Sequence, residues 1–168
     1  MTENDRILVA VLDRTVYVRP FGYATQKDCL GLPDFLKAMF REGCVNVAFD
    51  LGETVGMDST FLGVIASAAM PGPRTGEKSV VVLNADEHAR RELRTIGLVG
   101  VIALRDEPYE PPADVELSEV DFVHLPGTER ERLIRIKELH EGLVKLNDKN
   151  KRNFGAFVKM LDEELERN

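Results

Sequence analysis

Apolar and polar positions recur along this chain with periods that predict its elements. Ile7 to Leu12 is an apolar run, Asp13-Arg14-Thr15 is short and polar, and Val16 and Val18 alternate with Tyr17 and Arg19. Two β-prone runs joined by a polar turn predict a hairpin. Leu32, Phe35, Leu36, Met39 and Phe40 follow at spacings of three and four, the signature of an amphipathic helix. Pro33 suits its first turn, Gly43 ends it, and residues 25–31 read as an extra turn before it. Val45 to Leu51 predicts a strand. A helix capped by Asp58 or Ser59 runs to about Met70, and Ser79 to Leu83 is a buried strand. Glu87 to Ile96 predicts a helix with Ala89, Leu93 and Ile96 inward, closed by Gly97, and Val99 to Leu104 a last strand.

Strands separated by single helices imply right-handed crossovers and parallel neighbours. The expected class is α/β: a small mixed, mostly parallel sheet with helices packed on it, plus a C-terminal helical extension. In that extension Ile136, Leu139, Leu143 and Leu146 step three, four, three. After the polar run Asn147 to Asn153 a second stripe begins, with Phe154, Phe157, Met160, Leu161 and Leu165. Two helices or one long bent helix fit this pattern. So do packing on the chain's own body and a docking or homodimerisation role.

Charge divides the chain. Residues 129–167 hold ten basic and nine acidic side chains, net +1, which leaves 12 basic against 20 acidic, net −8, for the rest. Between them, Asp106 to Asp121 carries seven acidic residues, three prolines and no basic residue. The division read from this is a body at 1–105, an acidic Pro-containing linker at 106–126 and helices at 127–168. A net charge of −7 disfavours nucleic acid and anionic membranes as partners, because both call for clustered Lys and Arg. No apolar run approaches the roughly 20 residues that cross a bilayer. The first residues are polar, without a secretory pattern, and the two cysteines, Cys29 and Cys44, read as packing residues. A cytoplasmic setting is expected.

Enzymatic chemistry finds little support. Residues 71–79, Pro-Gly-Pro-Arg-Thr-Gly-Glu-Lys-Ser, invite a phosphate-loop reading, but Glu77 separates Gly76 from Lys78 and a strand follows where a helix is required. His88, His124 and His140 are scattered and read as lone surface residues, so no metal or cofactor is expected. No nucleophile-elbow pattern is present.

One segment stands apart. The strand ending Asp50-Leu51 leads to Met57-Asp58-Ser59-Thr60-Phe61-Leu62-Gly63-Val64-Ile65, and from Phe61 to Met70 Ser67 is the single polar side chain. Asp58 and Ser59 read as ordinary caps on local physics. Leu62, Ile65, Ala66 and Ala69 form a stripe expected to face the sheet, while Phe61, Val64 and Ala68 form another. A helix apolar on two faces is sandwiched inside a fold or presents a binding surface. A hydroxyl beside such a face would make a switch, since phosphorylation adds about −1.5 to −2 charge there.

These residues resemble the STAS family of anti-sigma factor antagonists. The resemblance covers roughly residues 7–105 and rests on the opening hairpin, Gly22, Asp50-Leu51, Asp58-Ser59-Thr60 with Leu62-Gly63-Val64, Gly76-Glu77, and Leu93 to Leu98. It implies a non-enzymatic regulator that binds an anti-sigma factor or Ser/Thr kinase. Ser59 would be the phosphoacceptor, with Asp58, Thr60, Phe61 and Val64 lining the partner site. Phe61 replaces the usual Gly of the family, and the resemblance then implies either a reshaped kinase-docking surface or a switch that is altered or lost. The alternative is an unphosphorylated STAS scaffold that oligomerises, or docks a partner, through its C-terminal helices.

Overall fold

The computed structural model describes residues 5–70, 79–110, 117–119 and 127–167. The turn at 71–78, His124 and most of the acidic connector therefore lie outside the described residues.

The predicted hairpin is present: β1 (Arg6–Leu12) and β2 (Thr15–Ala24) pair antiparallel, Ile7 with Pro20 through Leu12 with Thr15. Asp13 and Arg14 form the two-residue turn with φ of 48° and 63°. Positive φ at both central residues gives the primed turn whose twist matches the strands it joins. Two helices follow, α1 (Gln26–Cys29) and α2 (Leu32–Arg41), and the second carries Pro33 in its first turn as expected. β3 (Asn46–Asp50) and β5 (Ser79–Leu83) run parallel, with β3 also parallel to β2.

Two parts of the sheet depart from expectation. The loop expected after Leu51 contains β4 (Thr54–Met57), parallel to the end of β2 beyond a register shift at Gly22 and Tyr23. Gly56 and the half-exposed side chains of this segment hide it from any alternation test. The last strand is shorter than expected: Leu98–Gly100 forms a 3-10 turn and only Ala103–Leu104 (β6) joins β5. Within the acidic connector Ser118–Glu119 (β7) adds to β1, completing the order β6-β5-β3-β2-β1-β7.

The core is the meeting of β-branched strand residues with helix faces. Val16, Val18, Val47, Phe49 and Val82 are wholly buried, as are Leu32, Phe61, Ile65, Leu93 and Leu98. Each such side chain contributes on the order of 1.5–3 kcal/mol of transfer free energy. Cys29 and Cys44 are free and buried, as packing residues should be.

The extension is a helical hairpin, α5 (Glu129–Val144) and α6 (Asp148–Arg167). α5 starts on a capping box in which Thr128 and Glu131 satisfy each other's backbone donors. Of the two arrangements open to the stripe, it takes packing on its own body: Ile136, Leu139 and Leu143 are buried, and Leu139 and Leu143 belong to the central core.

Candidate functional site

The site is built where β4 hands over to α3 (Ser59–Ala69). Asp58 is the N-cap, as the sequence indicates, and one carboxylate oxygen accepts from the Phe61 N–H at 2.9 Å. The other accepts from the Gln26 N–H at 2.8 Å, and the Asp58 N–H donates to the Ala24 carbonyl. Asp58 thus pins the starts of α1 and α3 to the end of β2, with both oxygens engaged. The charge is felt nearby. Burial, then the Asp58 and Asp28 carboxylates, push the Cys29 thiol far above its usual range, while burial foremost raises the carboxyl of Asp28.

Ser59, next in the chain, is only half-buried, and its hydroxyl lies 2.9 Å from Nε2 of His140 on α5. The other ring nitrogen, Nδ1, lies 2.8 Å from the Ile136 carbonyl, which can only accept. Nδ1 therefore carries a proton and donates to that carbonyl, and Nε2 shares a hydrogen bond with the Ser59 hydroxyl. His140 is 2 % exposed and sits edge-on to Phe154 and Phe157, at 5.8 and 4.8 Å between ring centres. The sequence reading of His140 as a lone surface residue is corrected here. Its partner lies 81 positions away, beyond any local pattern.

The remaining residues of the expected site point inward. Thr60, Phe61 and Val64 are buried, Phe61 completely, with its ring edge-on to Phe49 of β3 at 6.1 Å. The Phe61 side of α3 therefore faces the sheet at this turn. Leu62 lines a cavity of about 370 Å³ toward α4 (Glu87–Thr95) and α6, together with Ile96, Asn153 and Phe154. Leu62 itself therefore faces α4 and α6, whereas the sequence pattern expects it to face the sheet. The direction of Phe61 also explains how Phe is accommodated beside the hydroxyl: the ring fills core volume on the sheet side of the helix, away from the Ser59 hydroxyl and His140.

Gly63 supplies the close approach that α5 needs. A Cβ at this position would lie 2.7 Å from the Leu139 carbonyl oxygen and 2.9 Å from the Leu139 Cβ. α5 thus crosses α3 almost backbone to side chain, directly beside Ser59.

Other polar clusters are structural. Asp50, buried at the end of β3, accepts from Arg19 at 2.8 and 3.1 Å, from the Gly52 N–H at 3.1 Å and from Asn84 at 3.0 Å. Asn84 in turn exchanges hydrogen bonds with the Tyr109 backbone. Every lone-pair direction of that carboxylate is spoken for, which leaves nothing to hold a ligand. His88 lies exposed on α4, 3.8 Å from Glu92. Among the described residues no cluster of three or more His, Cys, Asp or Glu is placed to hold a metal, and no helix is long and apolar enough to cross a membrane.

The sequence matches no family model and no curated protein. Solved structures do resemble it. An anti-sigma factor antagonist from Mycobacterium paratuberculosis is similar over 64% of this chain and 90% of its own, at 19% identity and a TM-score of 0.50. The anti-sigma factor antagonist SpoIIAA in its unphosphorylated form is similar over 60% of this chain and 88% of its own, at 15% identity and a TM-score of 0.45. The body of this chain has the STAS fold seen in the Mycobacterium paratuberculosis protein, a mixed and mostly parallel sheet with helices, and C-terminal helices are added to it.

Proposed function

We propose that this protein is a regulatory binding module of the anti-sigma-antagonist type, which docks an anti-sigma factor or Ser/Thr kinase on the surface around Ser59 and is switched by phosphorylation of that hydroxyl. The observation that carries the reading is the position of Ser59. Its hydroxyl is at the first turn of α3, half-buried, beside a carboxylate cap and an apolar helix face. Transfer of a phosphoryl group from a kinase-held nucleoside triphosphate to Oγ, with loss of the hydroxyl proton, would place about −1.5 to −2 charge there. The helix N-terminus tolerates such charge. The Asp58 carboxylate and a desolvated partner surface do not, so the phosphorylated form should bind its partner more weakly.

Asp58 acts in this scheme by holding the junction, and Thr60, Phe61 and Val64 act from within by fixing the course of α3. The scaffold alternative is less favoured, because the buried stripe Ile136, Leu139 and Leu143 is occupied within the chain and a homodimer would need a different surface. The test is recovery of partner from the cells that make the protein, using full-length Ser59→Ala and Ser59→Asp as bait. Retention by the Ala variant and loss by the Asp variant is expected; equal recovery by both rejects the switch.

A further inference from the structure

Resting on that reading, we propose that the Ser59 face of α3 is a docking surface for an amphipathic helix, and that α5 occupies it in cis as a resident competitor which a partner must displace. What covers the face is visible. α5 lays Leu139 over Gly63 and sets His140 against Ser59, and Leu139 and Leu143 are buried with the core. A partner that engages the same hydroxyl and the same glycine therefore cannot bind while α5 is seated.

Besides the buried Leu139 and Leu143, polar contacts hold the hairpin to the body at its two ends. Arg135 reaches Asp34 on α2 at 2.6 Å, a pair exposed on the carboxylate side. At the other end the Ile96 carbonyl, which closes α4, accepts from Asn150 at 2.8 Å and from Asn147 at 3.2 Å. Ser59 and His140 sit between these two latches. Inside the hairpin the ties are equally strong: Lys137 to Asp162 at 2.6 Å, Arg130 to the Leu165 carbonyl at 2.7 Å, Asn150 to the Leu143 carbonyl at 2.9 Å, and His140 among Phe154 and Phe157. A pair of helices with its own cohesion leaves as a unit instead of unravelling.

The chemistry of Ser59 couples to this gate. In the seated state its hydroxyl lies 2.9 Å from Nε2 of the buried His140. Phosphorylation replaces the small hydroxyl hydrogen with a bulky group of about −1.5 to −2 charge, for which that contact leaves no room, so modification displaces the ring and α5 with it. The occupant that fits in trans is a helix carrying apolar residues at the spacing of Ile136, Leu139 and Leu143, with a hydrogen-bonding side chain where His140 stands.

The experiment needs neither kinase nor natural partner. Amide hydrogen exchange is followed on the full chain, on Asn147→Ala/Asn150→Ala, and on Arg135→Ala, a milder variant whose fold is not at risk. Separately, a synthetic peptide of residues 128–146 is titrated into each chain by fluorescence anisotropy, against the same peptide carrying L139D and L143D. In the wild type α5 and α6 should exchange together and faster than β3 and β5. The Asn147→Ala/Asn150→Ala variant should accelerate that opening about fivefold per hydrogen bond lost, and Arg135→Ala by less because its ion pair is exposed, with β3 and β5 unchanged. The native peptide should bind the unlatched chains more tightly than wild type, and the control peptide should not bind. Exchange of α5 and α6 only at the rate of β3 and β5 in all three proteins overturns the proposal, as does equal binding of the two peptides. Either failure leaves phosphorylation of Ser59 standing, and absence of phosphorylation would leave the gate standing.

Discussion

The hydroxyl of Ser59 and Nε2 of His140 meet at 2.9 Å across 81 residues of sequence, joining the body of the protein to its C-terminal hairpin. That bond is a stability element as well as a candidate switch. Ser59→Ala should cost about 1 kcal/mol, the net worth of one partly buried hydrogen bond. His140→Ala should cost more, because it also leaves space beside Phe154 and Phe157. Urea unfolding of the two single variants and the double variant checks this. The double should be less destabilised than the sum by about 0.5–1.5 kcal/mol, and strict additivity would show that the two groups do not interact.

Gly63→Ala sets two effects against each other. Alanine favours the helix by roughly 1 kcal/mol, while a Cβ forced against the Leu139 backbone costs about 1–3 kcal/mol of overpacking. Because the clash is with α5 and the gain is within α3, the expected result is a body that stays folded and a hairpin that loosens. Hydrogen exchange should rise in α5 and α6 and not in β3. Unchanged exchange in α5 would mean that the helices do not cross so closely.

Asp58→Ala removes an N-cap and the tie to Gln26 together. The expected loss is about 1–2 kcal/mol, with Asp58→Asn losing less because its amide oxygen still caps. Thermal unfolding of the two variants ranks them, and an Ala variant as stable as wild type would mean that the cap carries no weight.

Cys29 should be inert. Burial, reinforced by Asp58 and Asp28, holds its thiol protonated far above the usual titration range, and the thiolate is the reactive species. Iodoacetamide at pH 8.5 should leave Cys29 unlabelled in the native protein and label it in denaturant, as peptide mass spectrometry would show. Fast native labelling would place Cys29 outside the core.

How far the sequence carries this picture depends on the range of each contact. The hairpin, the Pro33 helix, the buried strand at Ser79–Leu83 and the Asp58 cap are written in neighbouring residues, and all are found. β4 escapes notice because four residues with a glycine carry no period. The direction of Phe61 is not legible either: with apolar side chains on two faces of α3, only the position of Phe49 decides which face meets the sheet. Least legible is His140, whose role depends on a hairpin folding back over Ser59. Its local signal is modest, a histidine one place after Leu139 on the buried seam.

The central claim is that Ser59 is a phosphoacceptor, and phosphosite mapping on the protein isolated from the cells that make it tests this most directly. One phosphate on Ser59, varying in occupancy with growth state and absent from a Ser59→Ala strain, is the expected result. A Ser59 that carries no phosphate in any growth state, in peptides recovered with good coverage, would contradict it.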